Sequence, residues 1–390
     1  MSINFSDFLY RKNTNCKRWD TLSSDMIAMG IADMDFSCPP EIVVALKKRL
    51  EHPCFGYTYP TDYLKELIVQ HLQTQHAWTI QKEWIVFYPD ATTSLYFIFN
   101  GIKNKLHTTS QNQVILQPPV FGSFFNDIKR VNLQAISNPL LLQDTLYSMN
   151  FKNLHTLFQN NKSIHSLILC NPHNPIGRVW LRDDLLTLGN LCIQNDCFII
   201  SDELHSDLIL PKYKHTPIAS LSSEIEQKTI TLISPGKGYN IAGLKISAAI
   251  IPNDELRSHI NFVTNNMDPN IFGLIAYETA LTHAPKNYTP ILMNYIEHNF
   301  NYLDQFLKYN LPHITLIPPQ ATFLAWIDMR ALNMTNTELE DFILNKAKIH
   351  VIFGHTFGEG GEGFIRLNIG TPLDQIKKAL FQLKTALLTQ

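Results

Sequence analysis

Between Trp84 and Ile251 the chain repeats one pattern, a short unbroken apolar run followed by a longer stretch with helical periodicity. The runs Trp84–Phe87, Val114–Gln117, Ser166–Cys170, Phe198–Ser201, Ile230–Ser234 and Ser247–Ile251 lack the in–out alternation of a half-exposed strand. Strands apolar on both faces and interleaved with helices predict an α/β architecture, a mostly parallel sheet covered on either side. In such sheets ligands bind beyond the carboxyl ends of the strands. The unusual residues gather at those ends: Pro89-Asp90-Ala91-Thr92, Asn171-Pro172-His173-Asn174-Pro175, Asp202-Glu203-Leu204-His205 and Gly236-Lys237.

The flanks read differently. The first segment, to about Cys38, is irregular and polar and ends in Ala32-Asp33-Met34-Asp35-Phe36. Pro39-Pro40 should launch a helix to about Glu51 with Ile42, Val43, Ala45, Leu46 and Leu50 inward. An aromatic loop, Phe55 to Pro60, precedes a second helix from about Thr61 with Leu64, Leu67, Ile68 and Leu72 inward. Beyond the sheet, helices are expected over about Asp254–Ala284 and Ile291–Tyr309. Strands near Ile314–Ile317, Thr322–Ile327, His350–Ile352 and Phe364–Asn368, then a helix from about Pro372, describe a smaller α+β domain.

At 390 residues the chain is long enough for two domains or one large α/β unit. A net charge of −2 with no block of like charge argues against a nucleic-acid partner. No apolar run approaches the ~20 residues that span a bilayer, and the first seven residues lack a signal-peptide pattern. The six cysteines are scattered, with no C-x-x-C pair, so metal and disulfide frameworks are not expected. Free thiols suit a reducing, cytoplasmic setting.

Lys237, in Ser234-Pro235-Gly236-Lys237-Gly238, follows an apolar strand at a tight turn. A desolvated lysine there has a lowered pKa and a nucleophilic amine; the same stretch alone also describes a surface loop lysine. Joined with Asp202, Asn174 and a helix starting near Ala91, it describes a pyridoxal-phosphate pocket. Asn171-Pro172-His173-Asn174-Pro175-Ile176-Gly177, Ser201-Asp202-Glu203-Leu204-His205 and Ser234-Pro235-Gly236-Lys237, in that order, resemble the class I/II aminotransferase superfamily of fold type I. Ala32 to Phe36, Phe55-Gly56-Tyr57, His205 and Gly363 to Asn368 resemble its MalY/PatB cystathionine β-lyase branch.

The resemblance implies pyridoxal 5'-phosphate as cofactor and roles for individual residues. Lys237 would carry the cofactor and remove the substrate α-proton. Asp202 would pair with the pyridine nitrogen and Asn174 would donate to the phenolic oxygen. Phe121 would stack on the ring, and His205 is either near the same oxygen or structural. The amides of Ala91 and Thr92, the hydroxyls of Thr92 or Thr93, Ser234 and Lys245 would hold the phosphate. Tyr57 would reach the phosphate of a neighbouring subunit, which implies a homodimer. Arg366 would capture the α-carboxylate, with backbone near Ala32 and Asp33 closing over it. Trp19 and Trp326 either line the substrate pocket or pack in the core.

The implied organisation is an arm (1–45) joining the small domain, a large cofactor domain (46–285) and a small domain (286–390). Phe121, Gly236 and Lys245 stand where tyrosine, serine and arginine are common in the family. The expected activity is carbon–sulfur β-elimination from a thioether amino acid. Transamination, a specialised elimination–replacement or cyclisation, and a non-catalytic binding role are the alternatives.

Overall fold

The computed structural model describes residues 4–106, 112–264, 267–283 and 288–389. A two-residue strand, β1 (Ile27–Ala28), precedes the main sheet. The sheet and an adjoining hairpin are built from β2 (Ile85–Tyr88), β3 (Gln113–Leu116), β4 (Gln134–Ser137), β5 (Leu141–Gln143), β6 (Leu146–Ser148), β7 (Ile164–Cys170), β8 (Phe198–Asp202), β9 (Thr229–Ile233) and β10 (Ser247–Ile250). Seven of these form one sheet in the order β2-β10-β9-β8-β7-β3-β4, with β5 and β6 as the separate hairpin. Only β10 runs against its neighbours. All six expected strands are present within one or two residues of their expected ends.

Two features were not foreseen. Edge strand β4 and hairpin β5–β6 are short and largely exposed, so they lack the continuous apolar run that marks the central strands. The C-terminal strands β11 (Thr315–Leu316), β12 (Leu324–Asp328), β13 (Ile349–His350), β14 (Ile352–Phe353) and β15 (Phe364–Asn368) follow the expected positions closely. Four of them form an antiparallel sheet, β11-β12-β15-β14. β13 instead pairs in parallel with β1, placing Ile27 opposite Ile349.

Helices α1 (Pro40–Leu50), α2 (Asp62–His76), α3 (Ala91–Leu106), α4 (Ser123–Arg130), α5 (Phe151–Asn160), α6 (Arg182–Gln194) and α7 (Ser223–Lys228) accompany the sheet. They are followed by α8 (Asp254–Thr264), α9 (Ile271–Thr282), α10 (Tyr288–Asn310), α11 (Asn336–Asp341) and α12 (Leu373–Leu388). The helical region expected to Ala284 consists of two helices, and Ala284 lies outside the described residues, as does the 285/286 boundary. Pro269-Asn270 explains the second start: the Asn270 side chain accepts from the Gly273 amide and caps α9.

The inward face of α1 is narrower than expected. Ile42 is buried, whereas Val43 and Leu50 are exposed, because consecutive helix positions point about 100° apart and Ile42-Val43-Val44 cannot share one face. In α2, Leu64, Ile68 and Leu72 are buried and Leu67 is half-buried. Among the described residues no helix is long and apolar enough to cross a membrane.

Candidate active site

Strand register brings the expected residues to one edge of the sheet. Cys170 pairs with Asp202, and Asp202 with Leu232. The chain therefore leaves β7, β8 and β9 side by side, and these exits carry Asn174, His205 and Lys237. Because β10 is antiparallel, it enters where β2 leaves, with Ser247 opposite Tyr88. That places Lys245 beside the N-terminus of α3.

Lys237 is half-buried and its Nζ donates to the Ala32 carbonyl at 2.6 Å. Burial and the charge of Arg366 lower its pKa to about 8, against the opposing pull of Asp33 and Asp202. About one amine in ten is thus uncharged at pH 7, far more than for an ordinary lysine. Asp202 is buried and accepts from the Leu204 amide at 3.2 Å. Burial pushes its carboxyl up to about 6, so a cationic or protonated partner would draw it to the carboxylate form.

Arg366 projects from β15 and is only 4% exposed. Its Nη1 donates to Asn174 Oδ1 at 2.9 Å and its Nη2 to the Gly30 carbonyl at 3.1 Å. The guanidinium lies over the Phe357 ring, 5.1 Å from the centroid, and Nε has no partner. Among the described residues its contacts are an amide oxygen, a backbone carbonyl and an aromatic ring, all neutral, and burial lowers its pKa to about 10. A buried cation without a carboxylate is costly unless a ligand supplies the anion. Since Asn174 spends its oxygen on Arg366, its NH2 remains to donate to a ligand.

His205 is buried with Nδ1 unpartnered. Burial, then the charges of Lys237 and Arg366, hold its pKa well below the ordinary value, so the ring is neutral. Phe121 is half-buried and edge-on to Phe124 at 5.4 Å. It offers a face and no hydroxyl.

At the α3 end, Asp90 was missed as a site residue although Pro89-Asp90-Ala91 has the form of a helix cap. Its Oδ1 accepts from the Thr93 amide at 2.9 Å, and its Oδ2 from Lys245 Nζ at 3.0 Å. Burial raises the Asp90 pKa, but the Thr93 amide and Lys245 outweigh it and the carboxyl stays ionised. The Ala91 and Thr92 amides precede Thr93 in the first turn, where no helical carbonyl is available to them. Ser234 differs from expectation: its hydroxyl donates to the Ile246 carbonyl at 2.7 Å and accepts from the Gly236 amide at 3.0 Å. Its proton is therefore committed within the loop. A Cβ on Gly236 would stand 3.1 Å from that oxygen, a tight contact that the Ser234 hydroxyl would have to yield to.

The loop 30–36 is strapped to this site by residues that gave little sign of it in sequence. Fully buried Arg18 donates to the carbonyls of Ala28 and Asp33 and pairs with Asp35 at 3.2 Å. Arg11 pairs with Asp33 at 2.7 Å and with Asp35 at 3.1 Å. Asn240, three residues after Lys237, accepts from the Met34 amide and donates to the carbonyls of Met34 and Phe36. Asn368 donates to the carbonyls of Asp33, at 2.6 Å, and Ile31. Trp19 belongs to this strap, donating to Asp35 at 2.9 Å. Trp326 is core, stacked on Phe364 at 5.0 Å and donating to Tyr147. Tyr57 is fully exposed and Tyr59 largely so, whereas Phe55 packs against Phe272 and Arg49, so ordinary packing does not account for the two tyrosines.

The assembled groups are a poised amine, a buried carboxyl, an anion-seeking guanidinium and a helix N-terminus beside a lysine. This donor set fits pyridoxal phosphate together with an amino acid: ring nitrogen, aldehyde, phosphate and carboxylate each have a chemically matched partner.

Comparison with known proteins agrees. The family model "Aminotransferase class I and II" matches residues 24–383. Cystathionine beta-lyase PatB of Bacillus subtilis is 37% identical over 99% of this chain and 100% of its own length. Protein MalY of Escherichia coli is 27% identical over 99% of each chain. The structure of cystalysin from Treponema denticola, which contains a pyridoxal 5'-phosphate cofactor, superposes with a TM-score of 0.94 at 32% identity, covering both chains completely. The strand-end motifs, the geometry they converge on and these full-length matches establish that the chain belongs to the aminotransferase class I and II family.

Proposed function

We propose that this protein is a pyridoxal-phosphate-dependent carbon–sulfur β-lyase, acting on cystathionine or a related thioether amino acid. The observation that carries the reading is the pairing of a lysine poised near pH 8 with a buried arginine that has no carboxylate partner among the described residues. The full-length likeness to PatB favours elimination over the other reactions of the family.

In this reading Lys237 carries the cofactor and Asp202 faces its ring nitrogen. Asn174 donates through its NH2 to the phenolic oxygen, neutral His205 lies alongside, and Phe121 supplies a stacking face. The Ala91 and Thr92 amides, the Thr92 or Thr93 hydroxyl and Lys245 receive the phosphate. When bound, the cofactor supplies an electron sink for negative charge at the substrate Cα. Arg366 holds the α-carboxylate and so fixes which Cα–H bond faces Lys237. The Lys237 amine, whose lowered pKa suits it to act as a base near neutral pH, would take the α-proton. The Cβ–S bond then breaks with its electron pair on sulfur, and water converts the remainder to pyruvate and ammonia.

A homodimer completes the reading. Tyr57, Phe55, Tyr59, Val43, Val44 and Leu50 are exposed together in sequence, and a second copy of this chain would cover them. Tyr57 then reaches the neighbouring phosphate. Pairing of β1 with β13 supports residues 1–45 as an arm joined to a small domain (286–390), with 46–285 as the large domain. Cysteines that are all free suit a cytoplasmic, reducing setting.

Phe121 favours one second reading, transamination, because the ring lacks a hydroxyl to assist a leaving group. Product analysis separates the two. Purified protein loaded with pyridoxal phosphate and given L-cystathionine should release thiol, pyruvate and ammonia in equal amounts with no keto-acid co-substrate added. Pyridoxamine phosphate accumulating after one turnover, with no pyruvate, would instead assign transamination.

A further inference from the structure

Behind the lysine loop lies a separate cavity of about 500 Å³. Its walls include His71 and His76 from α2, Asp207, Lys214 and His215 from the loop after β8, and Tyr239. Lys237, Asp202, Asn174 and Arg366 do not line it, and the β-lyase chemistry makes no use of it.

The wall has more positive and potentially positive groups than negative ones, and the acids are already engaged. Glu203, just behind the wall, accepts from Ser201 Oγ at 2.8 Å and pairs with His215 Nε2 at 2.8 Å. Asp207 pairs with His71 Nε2 at 3.4 Å. His76 has no carboxylate of its own, yet its ring lies 5.1 Å from that of His215 and 6.4 Å from that of His71. His215 is buried, and its Nδ1 has no hydrogen-bond partner. Burial, then the charges of His215, His71 and Lys214, lower the pKa of His76 to about 3, with only Asp207 opposing. These imidazoles repel one another when charged, and an anion among them removes the repulsion. A metal ion is the other occupant that histidines suggest. Among the described residues, however, no three His, Cys, Asp or Glu side chains are arranged to hold one.

We propose that this cavity is a second, non-catalytic binding site for a small anion, a carboxylate or a phosphate-type oxyanion, held by His76, His215 and Lys214. An anion opposes the causes that lower the His76 pKa, so binding draws a proton onto that ring and affinity rises as pH falls. The other titratable groups facing the cluster are His71, Asp207, Glu203, Tyr213 and Tyr239. Of these the two acids are paired as above. The site is also mechanically close to the chemistry. A Cβ on Gly238 would stand 3.1 Å from Asp207 Cβ, so Asp207 abuts the residue next to Lys237.

The test is calorimetric titration of the cofactor-loaded protein with inorganic phosphate and, separately, with acetate. Loading fills the cofactor phosphate subsite. Titrations at pH 6 and pH 8, in buffers of differing ionisation enthalpy, read both affinity and proton uptake. The expected result is saturable binding of at least one probe at pH 6, with proton uptake, weakened about tenfold or more at pH 8. It is lost in His76→Gln and weakened in Lys214→Gln, a surface change that leaves the fold intact should His76→Gln be unstable. Which probe binds identifies the oxyanion or the carboxylate as the ligand class. Absence of binding by both probes at pH 6, or binding that survives the substitutions, overturns the proposal.

Discussion

Arg366 Nη1 donates to Asn174 Oδ1 at 2.9 Å, so the guanidinium is oriented by an amide that leaves its charge uncompensated. The two residues are 192 positions apart, and their contact links the carboxylate-binding end of the site to the ring-binding end. Asn174→Asp would place a carboxylate against the guanidinium and consume the charge meant for substrate. Steady-state kinetics should then show KM for the amino acid raised by about tenfold to a hundredfold. Arg366→Lys, which keeps the charge and loses the fork, should raise KM similarly.

Lys237 should react as an amine with a pKa near 8. About one amine in ten is then uncharged at pH 7 and about nine in ten at pH 9. Stopped-flow mixing of apoprotein with pyridoxal phosphate should show the bond-forming rate rising through this window, well below the range of an ordinary lysine. Because Arg366 is one of the two groups of causes holding the pKa down, Arg366→Met should move the profile to higher pH.

Asn240 has a φ of 54° and clamps residues 34–36 to the lysine loop through three hydrogen bonds. Asn240→Gly keeps the backbone conformation and removes only the clamp, a loss of about 1–3 kcal/mol. Asn240→Ala should cost about 1 kcal/mol more, because alanine resists the left-handed region. Thermal melts of the apoproteins should rank wild type above Gly above Ala. Hydrogen exchange at the Met34 amide should accelerate in both variants.

Tyr57 contributes little to the stability of one subunit, being fully exposed. Tyr57→Ala should therefore leave the melting temperature of a dilute, monomeric sample unchanged. In the dimer it should weaken pyridoxal phosphate binding several-fold, read by equilibrium absorbance titration alongside sedimentation velocity. Unchanged cofactor affinity in a sample that sediments as a dimer would remove Tyr57 from the site.

The central strands and the groups at their ends were legible because continuous apolar runs and turn residues are local signals. Asn174, Asp202 and Lys237 were found from those signals, and β7, β8 and β9 carry them to one edge. Arg366 was legible as a charge inside an apolar strand. Asp90, Arg18 and Asn240 were not, since their roles rest on partners far along the chain, such as Met34 for Asn240 across 206 positions. Ser234 was read as a phosphate donor from its place beside Lys237, and only the contact with Ile246 reveals where its proton goes. Hydrophobicity alone places Val43 and Leu50 of α1 inward, and it does not distinguish a core residue from an exposed apolar one.

The most direct measurement is borohydride reduction of the cofactor-loaded protein followed by peptide mapping, since reduction fixes the cofactor to whichever amine carries it. The account predicts a single modified residue, Lys237, and no label in Lys237→Ala. Label on Lys245 or another lysine, or none in the wild type, would contradict it.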